Sequence, residues 1–295
     1  MQLVKFGEKL NSPIVICLGY FGCMHKGHVE LLEVAKKRAQ RCNAKVALFT
    51  FCNNHLKVLG KDCTVVYTFD ERLQIYESLG VDYVVASKFD DAFRATTGEQ
   101  FLEKLLRYDL KGVVFGTDYS CGSNRMGSAE VRDALGERCS VDVVDTVTWQ
   151  GEKVSTSAIR QLIASGNLAT VNRLLTEPFF VTGKVVEGRH VGNGIGFPTA
   201  NIEVSSEKTL PIGVFGGQTV VDGKLYHCIV NVGHKPTFGV ESASVEAHVI
   251  NFCGNLYGKT LKVSLTKYLR PVQKFESASE LAAQLERDKE TVVND

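Results

Sequence analysis

Ile14–His28 reads IVICLGYFGCMHKGH, and the fold of the first half of this chain turns on that stretch. Ile14–Leu18 is an unbroken apolar run, the pattern of a strand buried on both faces of a parallel sheet. Gly19 and Gly22 place a turn after it, and His25 and His28 then open a helix with Gly27 between them. Such a strand–turn–helix is a natural anion site. The unpaired N–H groups of the first helical turn and the positive end of its dipole face one spot. Two imidazoles there add donors for phosphate oxygens. The same residues also read as a plain strand–turn–helix with surface histidines, and local chemistry alone leaves both readings open.

Working outward, Val29–Cys42 has helical spacing, with Leu31, Leu32, Ala35 and Ala39 on one face. Lys45–Phe51 (KVALFTF) is a second buried strand, and Phe69–Leu79 is a helix closed by Gly80. Asp82–Ala86 is a third strand. Gly98–Leu110 is a helix with Phe101, Leu102, Leu105 and Leu106 as its stripe. Val113–Gly116 and Val141–Val144 are the fourth and fifth strands, with a helix near Ala129–Leu135 between them. This alternation predicts an α/β domain whose parallel sheet is covered by right-handed crossovers. Ligands of such sheets bind beyond the carboxyl ends of the strands. That singles out Gly19–His28, Cys52–Gly60, Gly116–Ser128 and the segment after Val144. In the last, Val154–Arg160 reads VSTSAIR, with Ser155 as N-cap and Arg160 placed to reach a phosphate or simply to face solvent.

After Pro178 the pattern changes to short runs rich in Val, Thr and Gly. Strands are predicted near Phe179–Glu187, Gly213–Val221, Lys224–Val232, Ser244–Ile250 and Thr260–Leu269. Asp222-Gly223 is a hairpin signal between two of them. One helix closes the chain, opened by a Ser277/Glu280 capping box and carrying Leu281 and Leu285 on its apolar face. Antiparallel strands with one helix suggest a small closed barrel. The expected domains are therefore 1–178 and 179–295. In the second, Gly188–Asn201 (GRHVGNGIGFPTAN) holds four glycines that let a ligand approach the backbone. Thr199 and Asn201 offer oxygens suited to magnesium-bound phosphate, and Pro198 stiffens the entry. Without the FPTAN segment this would be an ordinary glycine loop beside a hairpin. Glu246 points away from the side to which Val245, Ala247 and Val249 alternate, as a solvated carboxylate or as a base for an attacking hydroxyl.

At 295 residues the chain can hold two cores, and at 44% hydrophobic and 23% charged it has no signature of disorder. A net charge of +1 and the lack of a basic stripe argue against nucleic acid as a partner. No apolar run approaches a membrane span, and MQLVKFGEKLNS lacks the apolar core of a secretory signal. The nine cysteines are scattered and form no CxxC pair, as expected of reduced thiols in a cytoplasmic protein. Cys23 lies within the opening stretch.

GFPTAN (Gly196–Asn201), NVGHKPTF (Asn231–Phe238), VEAH (Val245–His248), LYGKTLKV (Leu256–Val263) and LRPVQKF (Leu269–Phe275) occur in that order. Together they resemble the riboflavin kinase family. With the first half included, nearly the whole chain resembles the bacterial bifunctional riboflavin kinase/FAD synthetases. The resemblance implies a Rossmann-like nucleotidyltransferase domain followed by a six-stranded antiparallel barrel with a terminal helix. It implies ATP as co-substrate, Mg²⁺, and riboflavin, FMN and FAD as substrates or products, in a monomer or weak homo-oligomer. Carried over, it makes His25 and His28 binders of the ATP phosphates that stabilise charge as pyrophosphate leaves, beside Gly19, Phe21 and Gly27. Ser155, Thr156 and Arg160 match a second phosphate clamp, and Asp118 a flavin contact. In the barrel, Gly188, Gly192, Pro198, Thr199 and Asn201 hold the nucleotide, the last two with magnesium. Glu246 is the base for the riboflavin hydroxyl, and Arg270 and Phe275 meet the flavin.

The chain departs from the family's usual pattern in places. Tyr20, Gly22 and Cys23 replace asparagine, aspartate and glycine; Cys52–His55 differ from the usual segment; Asn193 replaces an arginine. The departures at 20, 22 and 23 predict FAD synthesis that is slowed, altered or lost. The alternatives are a riboflavin kinase whose first domain binds without turnover, a sensor, or another HxGH nucleotidyltransferase; the GFPTAN barrel speaks against the last.

Overall fold

The computed structural model describes residues 1–61, 63–188, 196–237 and 240–294, with backbone alone at 234–237 and 240–243. Gly192 and Asn193 lie outside the described residues. The chain divides into two compact units, Met1–Thr156 and Ser157–Asp295.

The first unit runs β1 Gln2–Lys5, β2 Ile14–Leu18, α1 Lys26–Arg41, β3 Lys45–Phe51, α2 His55–Val58, α3 Phe69–Ser78 and β4 Tyr83–Ser87. It continues with α4 Asp91–Arg94, α5 Gly98–Leu105, β5 Leu110–Gly116, the short β6 Ser120–Cys121 and β7 Met126–Gly127, then α6 Ser128–Leu135 and β8 Ser140–Val144. The hairpin β9 Thr148–Trp149 and β10 Glu152–Lys153 leads into α7 Thr156–Ala164. The main sheet is parallel throughout, in the order β1-β4-β3-β2-β5-β8. All five expected strands are present. The apolar pentad of β2 is wholly buried because helices cover both faces. Leu31, Leu32, Ala35 and Ala39 of α1 are buried as expected, and Gly80, after α3, takes the left-handed conformation of a helix end (φ +75°). On one side β2 is followed by β3 and β4, and the chain then crosses to place β5 on the other. This makes the carboxyl ends of β2 and β5 the topological switch point.

Two features differ from expectation. The helix read as Gly98–Leu110 ends at Leu105, and Leu110 instead starts β5, where it pairs with Ile14. Gln2–Lys5 forms an additional edge strand on β4.

The second unit contains α8 Leu168–Leu174 and the strands β11 Phe180–Val186, β12 Ala200–Glu203, β13 Gly213–Val221, β14 Lys224–Thr237, β15 Val240–Val249 and β16 Thr260–Arg270, ending in α9 Ala278–Val293. The strands close in the order β11-β12-β15-β14-β13-β16, all antiparallel. Asp222 and Gly223 both have positive φ (49° and 80°), which gives the hairpin twist their sequence predicts. The sixth strand, β12, was not among the expected five. Val245, Ala247 and Val249 are buried inside, whereas Glu246 faces outward. Helix α9 lays Leu285 and Val292 on Val214, Ile229, Ile250 and Leu269 on the outer side of the barrel wall. Its capping box is incomplete. Ser277 Oγ accepts from Glu280 N (3.2 Å), but the Glu280 carboxylate accepts from Glu276 N, not Ser277 N. Among the described residues no helix is long and apolar enough to cross a membrane.

Candidate functional site

At the switch point of the first unit lies a cavity of about 820 Å³. Gly19, Phe21, His25, Gly27, His28, Asp118, Ser155 and Thr156 all line it, so the structure gathers eight of the candidate residues from three distant segments. Arg160 is on α7, four residues beyond Thr156, within the second unit.

His25 is the N-cap of α1, and its Nδ1 accepts the His28 backbone N–H (3.3 Å). The two rings stack with centroids 3.7 Å apart. His28 Nδ1 donates to the Cys23 carbonyl. These bonds give the two rings different tautomers when neutral. His25 has its proton on Nε2, and His28 has a bare Nε2. Burial, and then the charge of His28, pushes the His25 pKa down to about 2; burial pushes that of His28 down to about 4. Both rings are thus neutral at physiological pH. A side chain on residue 27 would meet the His25 ring at 3.2 Å, which explains the intervening glycine.

The loop after β2 is held from below by a group the sequence reading missed. Arg72 is 1% exposed. It donates to the Tyr20 carbonyl (3.2 Å), the Phe51 carbonyl (2.7 Å) and Thr50 Oγ1 (2.9 Å). Its guanidinium lies 4.7 Å from the Tyr20 ring centroid. Tyr76, one turn along α3, donates to the Phe21 carbonyl at 2.6 Å, and Phe21 itself has φ +48°. Helix α3 can aim both side chains because its start is pinned by a Thr68/Glu71 capping box. The signal in sequence was that capping box, but nothing in an amphipathic helix marks Arg72 as buried.

The Tyr20 ring also faces His55 (4.2 Å between centroids) and lies over Gly22. A Cβ on residue 22 would sit 2.5 Å from Tyr20 Cε1. Tyr20 and Gly22 therefore fit as a pair. Cys23 is buried, with its Sγ 3.7 Å from Thr156 Oγ1. Beyond His55 the cavity wall is aromatic, with Phe49, Phe51, Phe89, Phe93 and Phe101 packed edge to face, tilted or, for Phe49 and Phe93, stacked. One part of the cavity therefore presents imidazoles and hydroxyls and another part flat apolar rings. Lys153, also unread from sequence, donates to Asp118, and this contact holds the Asp118 carboxyl below its usual range.

In the second unit the candidates are organised by strand register. Arg270 pairs with Val214, Val214 with Asn231, Asn231 with Glu246, and Glu246 with Asn201. Directly paired residues point to the same face, so one row on the barrel's outer wall carries Asn201, Glu246, Asn231 and Arg270. Glu246 is one strand from Asn201 and three from Arg270, which in a closed barrel of six strands is half-way round. Asn231 is the member of this row that the candidate set lacked. Gly188 lies against Asn201: a Cβ there would fall 2.0 Å from the Asn201 amide nitrogen. His248 Nδ1 donates to the Pro198 carbonyl (2.9 Å), which ties the FPTAN segment to β15. Pro198 and Thr199 line a separate groove of about 230 Å³ with Asn255 and Tyr257. Arg270 is bound by Asp288 of α9 (2.9 Å) and lies 5.6 Å from the Phe275 ring centroid.

The Asn201 amide, the Glu246 carboxylate paired with it and the Thr199 hydroxyl two residues along the chain are hard oxygens. This set fits Mg²⁺ that shares its coordination with phosphate oxygens. Among the described residues no cluster of three His, Cys, Asp or Glu side chains could hold a metal.

Residues 7–158 match the family model described as FAD synthetase, and residues 175–294 the one described as riboflavin kinase. The bifunctional riboflavin kinase/FMN adenylyltransferase of Escherichia coli (strain K12) is 32% identical over 302 residues, covering 99% of this chain and 96% of that protein. The protein of the same description from Bacillus subtilis (strain 168) is 30% identical over 292 residues, covering 96% and 92%. A solved structure from Streptococcus pneumoniae, described as a macrolide-efflux protein, is 27% identical, covers 99% of both chains and superposes with a TM-score of 0.90.

Proposed function

The chain belongs to the bifunctional riboflavin kinase/FMN adenylyltransferase family, and from that premise we propose that each unit performs one of two consecutive steps. The second unit phosphorylates riboflavin to FMN with ATP, and the first transfers the adenylyl group of ATP to FMN, giving FAD and pyrophosphate. The observation that carries this reading is that each unit has a separate site of the right chemistry. One is an aromatic cavity with imidazole and hydroxyl donors; the other is a barrel row that sets a carboxylate beside Asn201.

In the first unit His25 offers its Nε2–H to the phosphates, and His28, stacked on it, lies beside them where charge builds as pyrophosphate leaves. Gly19, Phe21 and Gly27 shape the loop around them, and Ser155, Thr156 and Arg160 form the second clamp. The aromatic wall and Asp118 receive the flavin. These groups align and stabilise charge, which is most of what phosphoryl and nucleotidyl transfer require. In the second unit Glu246 takes the proton of the riboflavin 5′-hydroxyl. Thr199 and Asn201 would hold the magnesium and the phosphates, with Gly188 and Pro198 beside them; Gly192, the remaining residue of this set, lies outside the described residues. Magnesium, when bound, neutralises the phosphate oxygens. Arg270 and Phe275 meet the flavin's far end.

We place the module boundary near Pro178, three residues into the riboflavin kinase match that begins at 175; the compact units themselves divide earlier, between Thr156 and Ser157. The substrates are small molecules, and we assign the enzyme to the cytoplasm as a monomer or weak homo-oligomer. The nine cysteines, all free, accord with a reducing compartment.

The test is to incubate the purified chain with riboflavin, ATP and magnesium and to separate the flavins over time. Sequential FMN and FAD are expected. FMN that never becomes FAD would overturn the role of the first unit, and absence of FMN that of the second.

A further inference from the structure

The two histidines are neutral and stacked, so they bring a single free donor, the His25 Nε2–H, and no standing positive charge to the phosphate end of the cavity. Adenylyl transfer, however, releases a strongly anionic product there. Lys61, Arg94, Arg125 and Lys153 line the cavity. Lys61 bears on His55, at the aromatic end, whereas Lys153 bears on His25. Lys153 ends the β9–β10 hairpin and comes two residues before Ser155, within the segment that frames the phosphate end. Its ammonium is held by Asp118, in a contact whose side chains are 49% and 59% exposed. Ion pairs this exposed contribute little to stability, so Lys153 can leave Asp118 readily when a more highly charged partner arrives.

We propose that Lys153 is the binding residue for the leaving pyrophosphate, exchanging the Asp118 carboxylate for phosphate oxygens when nucleotide enters; this rests on the adenylyl-transfer reading of the first unit. In the step it serves, a phosphate oxygen of FMN attacks the α-phosphorus of ATP. A new P–O bond forms, the bond from that phosphorus to the bridging oxygen breaks, and pyrophosphate departs with the electron pair. No oxidant, reductant or further reactant is required. Asp118 parks the ammonium beside the histidines until phosphate arrives, and is then released to accept hydrogen bonds from the flavin.

The experiment is inorganic pyrophosphate binding to the full chain by calorimetry, with wild type, Lys153→Met and Lys153→Arg, alongside FAD formation from FMN and ATP. Trp149 fluorescence during urea unfolding of each variant serves as the control for folding of the first unit. A charge-assisted contact of this kind predicts pyrophosphate binding weaker on the order of 10- to 100-fold in K153M and within a few-fold of wild type in K153R. FAD formation falls in parallel. Wild-type pyrophosphate affinity in K153M overturns the proposal, as does a wild-type protein that does not bind pyrophosphate at all. Failure of the wild type to make FAD would remove the function proposed for the first unit, while the affinities would still decide the role of Lys153.

Discussion

The two units build their sites in opposite ways. The barrel site is written along strands in register: Asn201, Glu246, Asn231 and Arg270 fall in one row because the hydrogen-bond ladder puts them there. The cavity of the first unit is assembled from loops at the ends of parallel strands, and a buried guanidinium under Tyr20 and Phe51 holds them. A site in register needs only its strands. A site made of loops needs supports that touch no ligand, and those supports are where its sequence can change without loss of geometry. Tyr20 and Gly22 illustrate this, since the ring of one occupies the space that a side chain on the other would need.

The contrast is broken most directly by removing one acting group from each unit. Glu246→Gln keeps the size of the side chain but removes the carboxylate proposed as base. FMN formation should fall on the order of 1000-fold, with FAD formation from supplied FMN unchanged. His25→Ala removes the first-unit donor, and FAD formation from FMN should fall on the order of 100-fold, with FMN formation intact. Separating flavins from each half-reaction reads both. If either variant damaged both activities alike, the division of labour between units would be wrong.

Much of this was legible in sequence, but unevenly. The buried pentad at Ile14–Leu18 and the alternation at Val245–Val249 identify themselves because strand periodicity and burial coincide. Gln2–Lys5 and Ala200–Glu203 do not, because four residues are too few to display a period. Leu105 and Leu106 continue a helical stripe towards Leu110, yet pairing with Ile14 makes Leu110 a strand residue; the sheet overrides local spacing. Asn201 and Glu246 could be named from motifs. Their adjacency, and that of Asn231, depends on hairpin register, which no single segment encodes. Arg72 reads as one more charge on an amphipathic helix, and only the fold reveals it as the prop under the loop after β2.

The supports should also yield to mutation. Gly22→Asp puts a Cβ into the Tyr20 ring, and overpacking of this kind costs about 1–3 kcal/mol. FAD formation should fall roughly tenfold, while FMN formation is spared. Adding Tyr20→Asn clears the space and should recover part of the loss, although the Arg72 guanidinium then loses its ring partner. No recovery in the double variant would mean that the two positions are independent.

The smallest effect separates the units by acidity. The pKa values of His25, His28 and His55 are all depressed in the first unit, to about 2, 4 and 4, chiefly by burial. In the second unit that of His248 is depressed. A depressed histidine is neutral when folded but takes a proton when unfolded. Its contribution is therefore present above the ordinary value of 6.5 and is lost as pH falls towards the folded value. Lowering the pH from about 7.5 to about 5.5 should cost about 1 kcal/mol for each buried histidine, and hence destabilise the first unit more than the second. Trp149, the chain's single tryptophan, lies in the first unit, so its fluorescence during urea unfolding reports that unit. Hydrogen exchange of the barrel amides reports the other. Equal acid shifts in both would show that the imidazoles of the cavity are charged in the folded protein, and the neutral pair at its phosphate end would have to be given up.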